Sequence, residues 1–135
     1  REQGLKAHFV SGDGIVSKDL AAAAGGPQYL EGVMMTFGAD SRKIPAGQKL
    51  VTTFRQAGYE PEGYTLYAYA AMQAISAALQ ANTTPSGAKL GAWLQTHPVD
   101  TVMGRKSWDA KGDLSVSDYV LYRWDAQGNY SEVTP

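Results

Sequence analysis

A chain of 135 residues with 44% hydrophobic and 19% charged residues has the size and make-up of one globular domain with a substantial core. Twelve basic residues against thirteen acidic ones leave a net charge of −1, which argues against a nucleic-acid surface and against an acidic tail. With no cysteine there are neither disulfides nor thiolate metal ligands, and no apolar run reaches membrane-spanning length.

Arg1 to Lys6 reads as the last turn of a helix that Gly4 terminates, as if the chain were cut from something longer. Lys6–Val10 (KAHFV) is a short apolar run with the character of a buried strand. Ser11-Gly12-Asp13-Gly14 follows, a loop whose two glycines permit unusual backbone angles on either side of one carboxylate. Ser17 is placed to cap an alanine-rich helix running to Ala24, with Asp19 in its first turn, and Gly25-Gly26-Pro27 ends it. Gly32–Phe37 is a second apolar run. Strand, helix, strand is the rhythm of a parallel sheet.

Leu50, Val51, Phe54 and Ala57 then mark an amphipathic helix. The longest periodic stretch is Gly63–Asn82, with Tyr64, Ala68, Ala71, Ile75 and Ala78 as its apolar face and Tyr64 at its mouth. Ser86 opens a further helix that carries Leu90, Trp93 and Leu94 on one side. Three helices in succession break the alternation and predict a second packing environment. Thr101–Met103 is a short strand. Asp109-Ala110-Lys111-Gly112-Asp113 and Asp125-Ala126-Gln127-Gly128-Asn129 repeat one pattern, which suits a type I turn followed by a left-handed residue. The first of these is acidic, but it lacks the alternating ligands and final glutamate of a calcium loop. Asp118–Trp124 is rich in β-formers, so the chain ends in hairpins.

Few residues carry chemistry. His8 in an apolar run and His97 beside Pro98 have no nucleophile or carboxylate at a motif spacing, and no catalysis is expected. Gly12, Gly14 and Lys18 fail both the Walker spacing and the dinucleotide fingerprint, which needs a glycine where Ser17 stands. Asp13 is the one charge of interest. It follows a strand at the edge where open α/β sheets place ligands, and is either a turn residue or a partner for a cationic group. Such a contact is worth on the order of 4 kcal/mol of gross Coulomb attraction before desolvation. Tyr64 is likewise either a staple at the helix start or an aromatic wall.

Phe9–Ile15 before Asp19-Leu20, Tyr69–Gln73, and Val99–Gly104 through Trp108-Asp109-x-Lys111-Gly112-Asp113-Leu114 together resemble the branched-chain amino-acid binding proteins of ABC importers. The resemblance runs in unbroken order along the chain and matches only the carboxyl-terminal third of such proteins. It implies an α/β chain with part of a type I periplasmic binding fold: parallel-sheet lobes joined by hinge crossovers, and carboxyl-terminal β-hairpins. Residues 1–34 and 116–135 would belong to the second lobe and 35–115 to the first, with crossovers near Met35–Gly38 and Asp113–Ser117. Asp13 would receive the ligand's ammonium group and Tyr64 would lie beside the ligand. The groups that hold the carboxylate would come from segments outside this chain. The implied partners are an aliphatic amino acid and a membrane permease, with no cofactor, metal or nucleic acid, in the periplasm. The same fold also serves in amide or amino-acid sensing, and a small autonomous flavodoxin-like domain is a further alternative. The polypeptide alone is expected to associate with itself or to swap segments over its orphaned apolar surface.

Overall fold

The computed structural model describes residues 4, 6–17 and 19–133. The helix end expected at Arg1–Lys6 falls largely outside them, as does Lys18; Gly4 is described and has φ +75°. The chain forms two compact units: residues 1–39 with 118–135, and residues 40–117.

The first unit is built on a sheet of four strands in the order β1-β2-β5-β6: β1 Val10–Ser11, β2 Met34–Gly38, β5 Tyr119–Trp124 and β6 Tyr130–Glu132. β1 and β2 run parallel, with Val10 opposite Met34. The helix α1, Asp19–Ala23, lies between them in sequence, which makes the expected strand–helix–strand unit. Ser17 Oγ accepts the Asp19 N–H at 3.1 Å, as its position before the helix predicts. The other two ladders are antiparallel, so the sheet is mixed, with one parallel pair.

β1 departs from expectation. The strand is shorter and later than Lys6–Val10, His8 precedes it, and Phe9 and Val10 are 59% and 56% exposed. An apolar run signals burial without saying what buries it; here β1 is an edge that pairs with β2 alone. β2 also differs: Met35–Gly38, expected at a crossover, belongs to the interior of this sheet.

Alternation fixes the core of this unit. Met35 and Phe37 on β2 and Tyr122 and Trp124 on β5 are buried, and Met35 sits opposite Tyr122. The Trp124 indole N–H donates to the Met35 sulfur at 3.3 Å, and the Tyr130 ring meets Trp124 edge-on at 4.8 Å. The β5–β6 connection has the anticipated turn: Asp125 Oδ1 accepts from the amides of Gln127 and Asn129, both at 2.9 Å. Gly128 holds φ +78°, and a Cβ there would stand 3.1 Å from Pro27 Cβ, so glycine also lets the turn approach the chain after α1.

The second unit carries α2 Gln48–Gln56, α3 Thr65–Ala81 and α4 Gly87–Leu94, followed by the antiparallel hairpin of β3 Val99–Thr101 and β4 Gly104–Lys106. Ser86 Oγ accepts the Lys89 N–H at 3.4 Å at the start of α4. Of the short strand expected at Thr101–Met103, only Thr101 is in a strand, as the last residue of β3, and Val102–Met103 form the hairpin's turn. The Asp109 turn repeats the Asp125 device, its Oδ1 accepting from the amides of Lys111, Gly112 and Asp113. The acidic oxygen is thus occupied by backbone donors.

Val51, Leu66, Ala70 and Met103 form the core of this unit, flanked by Ile44, Tyr67 and Val102. α3 is the long helix the sequence announces, with a different face inward. Leu66, Ala70, Ala74 and Ala78 are buried, whereas Ala68 and Ala71 are exposed and Ile75 is 40% exposed. Of the expected stripe only Ala78 is buried. Gln73 on the same helix accepts the Val102 N–H at 2.8 Å and so ties α3 to the β3–β4 turn.

Gly47, just before α2, is packed where a side chain does not fit. A Cβ there would lie 2.9 Å from the Val102 carbonyl oxygen and 3.0 Å from Leu66 Cδ2. Gly47→Ala is therefore expected to cost about 1–3 kcal/mol through a forced shift of the hairpin, read as a lower urea midpoint. An unchanged midpoint would show that the Val102 backbone yields freely.

Candidate functional site

Asp13 stands where the sequence puts it, just past the carboxyl end of a parallel strand. β1 leaves the sheet through Gly12 (φ −81°, ψ −164°), and Asp13 then opens a single 3-10 turn, Asp13–Ile15, closed by Val16 N–H donating to Asp13 O at 3.1 Å. The side chain is half-buried. The glycines around it do not adopt the left-handed angles expected of them, for neither Gly12 nor Gly14 has a positive φ. A Cβ added at either meets nothing within 4 Å. What these glycines provide is open space beside the carboxylate, which suits approach by a ligand backbone.

Tyr64, in the second unit, is the residue immediately before α3. Its carbonyl accepts the Ala68 N–H at 2.8 Å, and the residue is 50% exposed. The local fold explains the pose: Thr65 caps backward, its N–H and Oγ both donating to Glu62 O at 3.1 and 2.8 Å, which leaves Tyr64 at the helix rim. Tyr59, which the sequence reading passed over, stands at the same rim. Its hydroxyl lies 3.0 Å from Thr65 Oγ1, its ring meets Phe54 edge-on at 5.6 Å, and half of it is exposed. An aromatic three residues after the end of α2 was the available signal.

The marked electrostatic perturbations among the described residues lie in the second unit, at Asp40 and Glu60. Asp40 accepts from Arg42 N, Nε and Nη2 at 3.1, 2.9 and 3.1 Å, and the Arg42 fork holds its carboxyl below the usual range despite partial burial. Glu60 accepts from Arg55 Nε and Nη2 at 2.7 and 2.8 Å, and from Arg42 Nη1 at 3.4 Å. The Arg55 hydrogen bonds bring its pKa down to about 2. His97, by contrast, stacks on Trp93 at 4.5 Å with its Nδ1 against Trp93 O at the end of α4, a structural arrangement.

A mixed sheet with a parallel opening pair, a carboxylate at that pair's carboxyl edge and a second helical unit inserted before the last strands make up part of a type I periplasmic binding fold. The chain belongs to the periplasmic binding protein family, whose model matches residues 1–129. Among relatives, it is 57% identical over 133 residues to an amino acid binding protein of Pseudomonas aeruginosa, covering 98% of this chain and 36% of that one. It is 47% identical over 137 residues to Leu/Ile/Val-binding protein homolog 1 of Brucella suis, with 98% and 36% covered. The crystal structure of a leucine binding protein, LivK, from Thermotoga maritima superposes with a TM-score of 0.80 at 20% identity, over 99% of this chain and 38% of that one. The chain thus spans little more than a third of the length of the relatives it matches.

Proposed function

We propose that the protein at the full length of these relatives captures an aliphatic, branched-chain amino acid in the periplasm and presents it to a membrane permease, without catalysis. The observation that carries this reading is Asp13, a half-buried carboxylate just past the parallel strand β1, with open space at the glycine on either side. In the proposed site Asp13 takes the ligand's ammonium group, and Tyr64, with Tyr59 beside it, supplies apolar aromatic wall. The units 1–39/118–135 and 40–117 correspond to parts of the two lobes, and binding shifts the protein from an open to a closed population. The kinship with proteins named for leucine, isoleucine and valine supports the substrate class.

Calorimetric titration of the full-length protein with L-leucine, L-isoleucine and L-valine tests this. Asp13→Ala is expected to weaken binding about a hundredfold, since it strands a buried ammonium group without its counter-charge. Equal affinity in the variant removes Asp13 from the site. A wild-type protein that binds none of the three removes the substrate class.

A further inference from the structure

Both sides of one peptide link are tied down. On the first unit's side, the buried Tyr122 hydroxyl donates to Gly38 O at 3.1 Å, and the Ala39 N–H donates to Asp118 O at 2.9 Å. On the second unit's side, Asp40 is the cap of a 3-10 turn, Ser41–Lys43, and its carboxylate receives both the backbone and the guanidinium of Arg42. Lys43 N–H donates to Asp40 O at 2.9 Å, and Ile44 N–H to Ser41 O at 3.2 Å. Arg42 O accepts from Gln48 Nε2, at the first residue of α2, and the Arg42 guanidinium reaches on to Glu60. Glu60 in turn is gripped in fork geometry by Arg55 at the far end of α2.

We infer that the chain Asp40–Arg42–Glu60–Arg55 is a positioning device, which fastens the segment after Ala39 to α2 and so confines bending on this strand of the connection to the Ala39–Asp40 link. The inference rests on the closing motion proposed above. Isolated exposed ion pairs carry little energy, but two features set this one apart. Asp40 and Arg42 are only 20% and 29% exposed, and their contact is bidentate. The network is also anchored at both ends of one helix, so it fastens residues 40–43 to α2 as a body. With these residues free, closure would draw on several further torsions and the open state would hold more conformations. A smaller competent fraction lowers apparent affinity in proportion.

The test pairs Arg42→Met with Arg42→Lys, which keeps the charge and loses the fork. In the full-length protein, Arg42→Met is expected to weaken L-leucine binding about fivefold, with Arg42→Lys intermediate. Amide hydrogen exchange at 42–44 should quicken about tenfold in Arg42→Met, while exchange in the middle of α3 stays as in wild type. Unchanged affinity together with unchanged exchange at 42–44 overturns the inference. Equal quickening in α3 also overturns it, because it reveals general loosening. If wild type fails to bind L-leucine, the proposed function fails, and the exchange pattern alone decides whether Arg42 fastens this segment.

Discussion

Trp124→Ala is expected to destabilise the first unit by about 4 kcal/mol, enough to remove most of the stability of a unit this small. Trp124 is 1% exposed, on the buried face of β5. Its ring fills the space between Met35, whose sulfur accepts the indole N–H, and Tyr130, whose edge meets it. Truncation forfeits the transfer energy of the ring and leaves a hole that β2 and β5, paired over five residues, resist closing. Trp124→Phe keeps most of the volume, gives up the five-membered ring with its weak N–H···S contact, and should cost less than half as much. Urea unfolding followed by far-UV circular dichroism, with exchange at β2 and β5 amides to localise the loss, checks both. Equal costs for the two variants would mean that the ring's volume does not organise this core.

The second large effect tests which side of α3 faces inward. Leu66→Ala should cost about 3 kcal/mol, whereas Ile75→Ala should stay below about 1 kcal/mol. Leu66 is fully buried among Val51, Ala70 and Met103 and touches the space beside Gly47; Ile75 is 40% exposed. The two residues are of equal size and differ in helix propensity by only a few tenths of a kcal/mol, so a gap of about 2 kcal/mol between the costs reports burial. Comparable losses at the two positions would restore the stripe that the sequence suggested. The same urea midpoints serve as the readout.

That stripe shows where the sequence stops being informative. α3 contains no charged residue in its 17 positions, so apolar spacing at threes and fours is satisfied by several faces at once. The helix's existence was legible, and its rotation was not. Charge would have named the outer side. A cavity of about 180 Å³ against Ala70, Ala71 and Ala74 shows how small side chains on one flank leave room rather than fill it. The turns were read correctly for the opposite reason: an Asp at the first place and a Gly at the fourth act through bonds four residues apart at most. The β1 run, read from its apolar residues as buried, came out exposed, because it forms an edge strand paired with β2 alone. At the site, the placement of Asp13 and Tyr64 followed from local order along the chain, a strand end and a helix start. Tyr59 was missed because only the three-dimensional return of the α2–α3 connection sets it at the same rim.

The pairing of β2 with β5 has a consequence for how the protein is made. The two strands are neighbours in space, yet the whole of residues 40–117 is threaded between them. On a ribosome adding about 5–20 residues per second, β2 waits several seconds for its partner, while the inserted segment is already complete and free to fold by itself. During that interval the Met34–Gly38 edge is a bare template for any passing strand. Before its longest ladder can form, this sheet must therefore close a loop the length of the whole insert, a delay that a sheet of consecutive hairpins avoids.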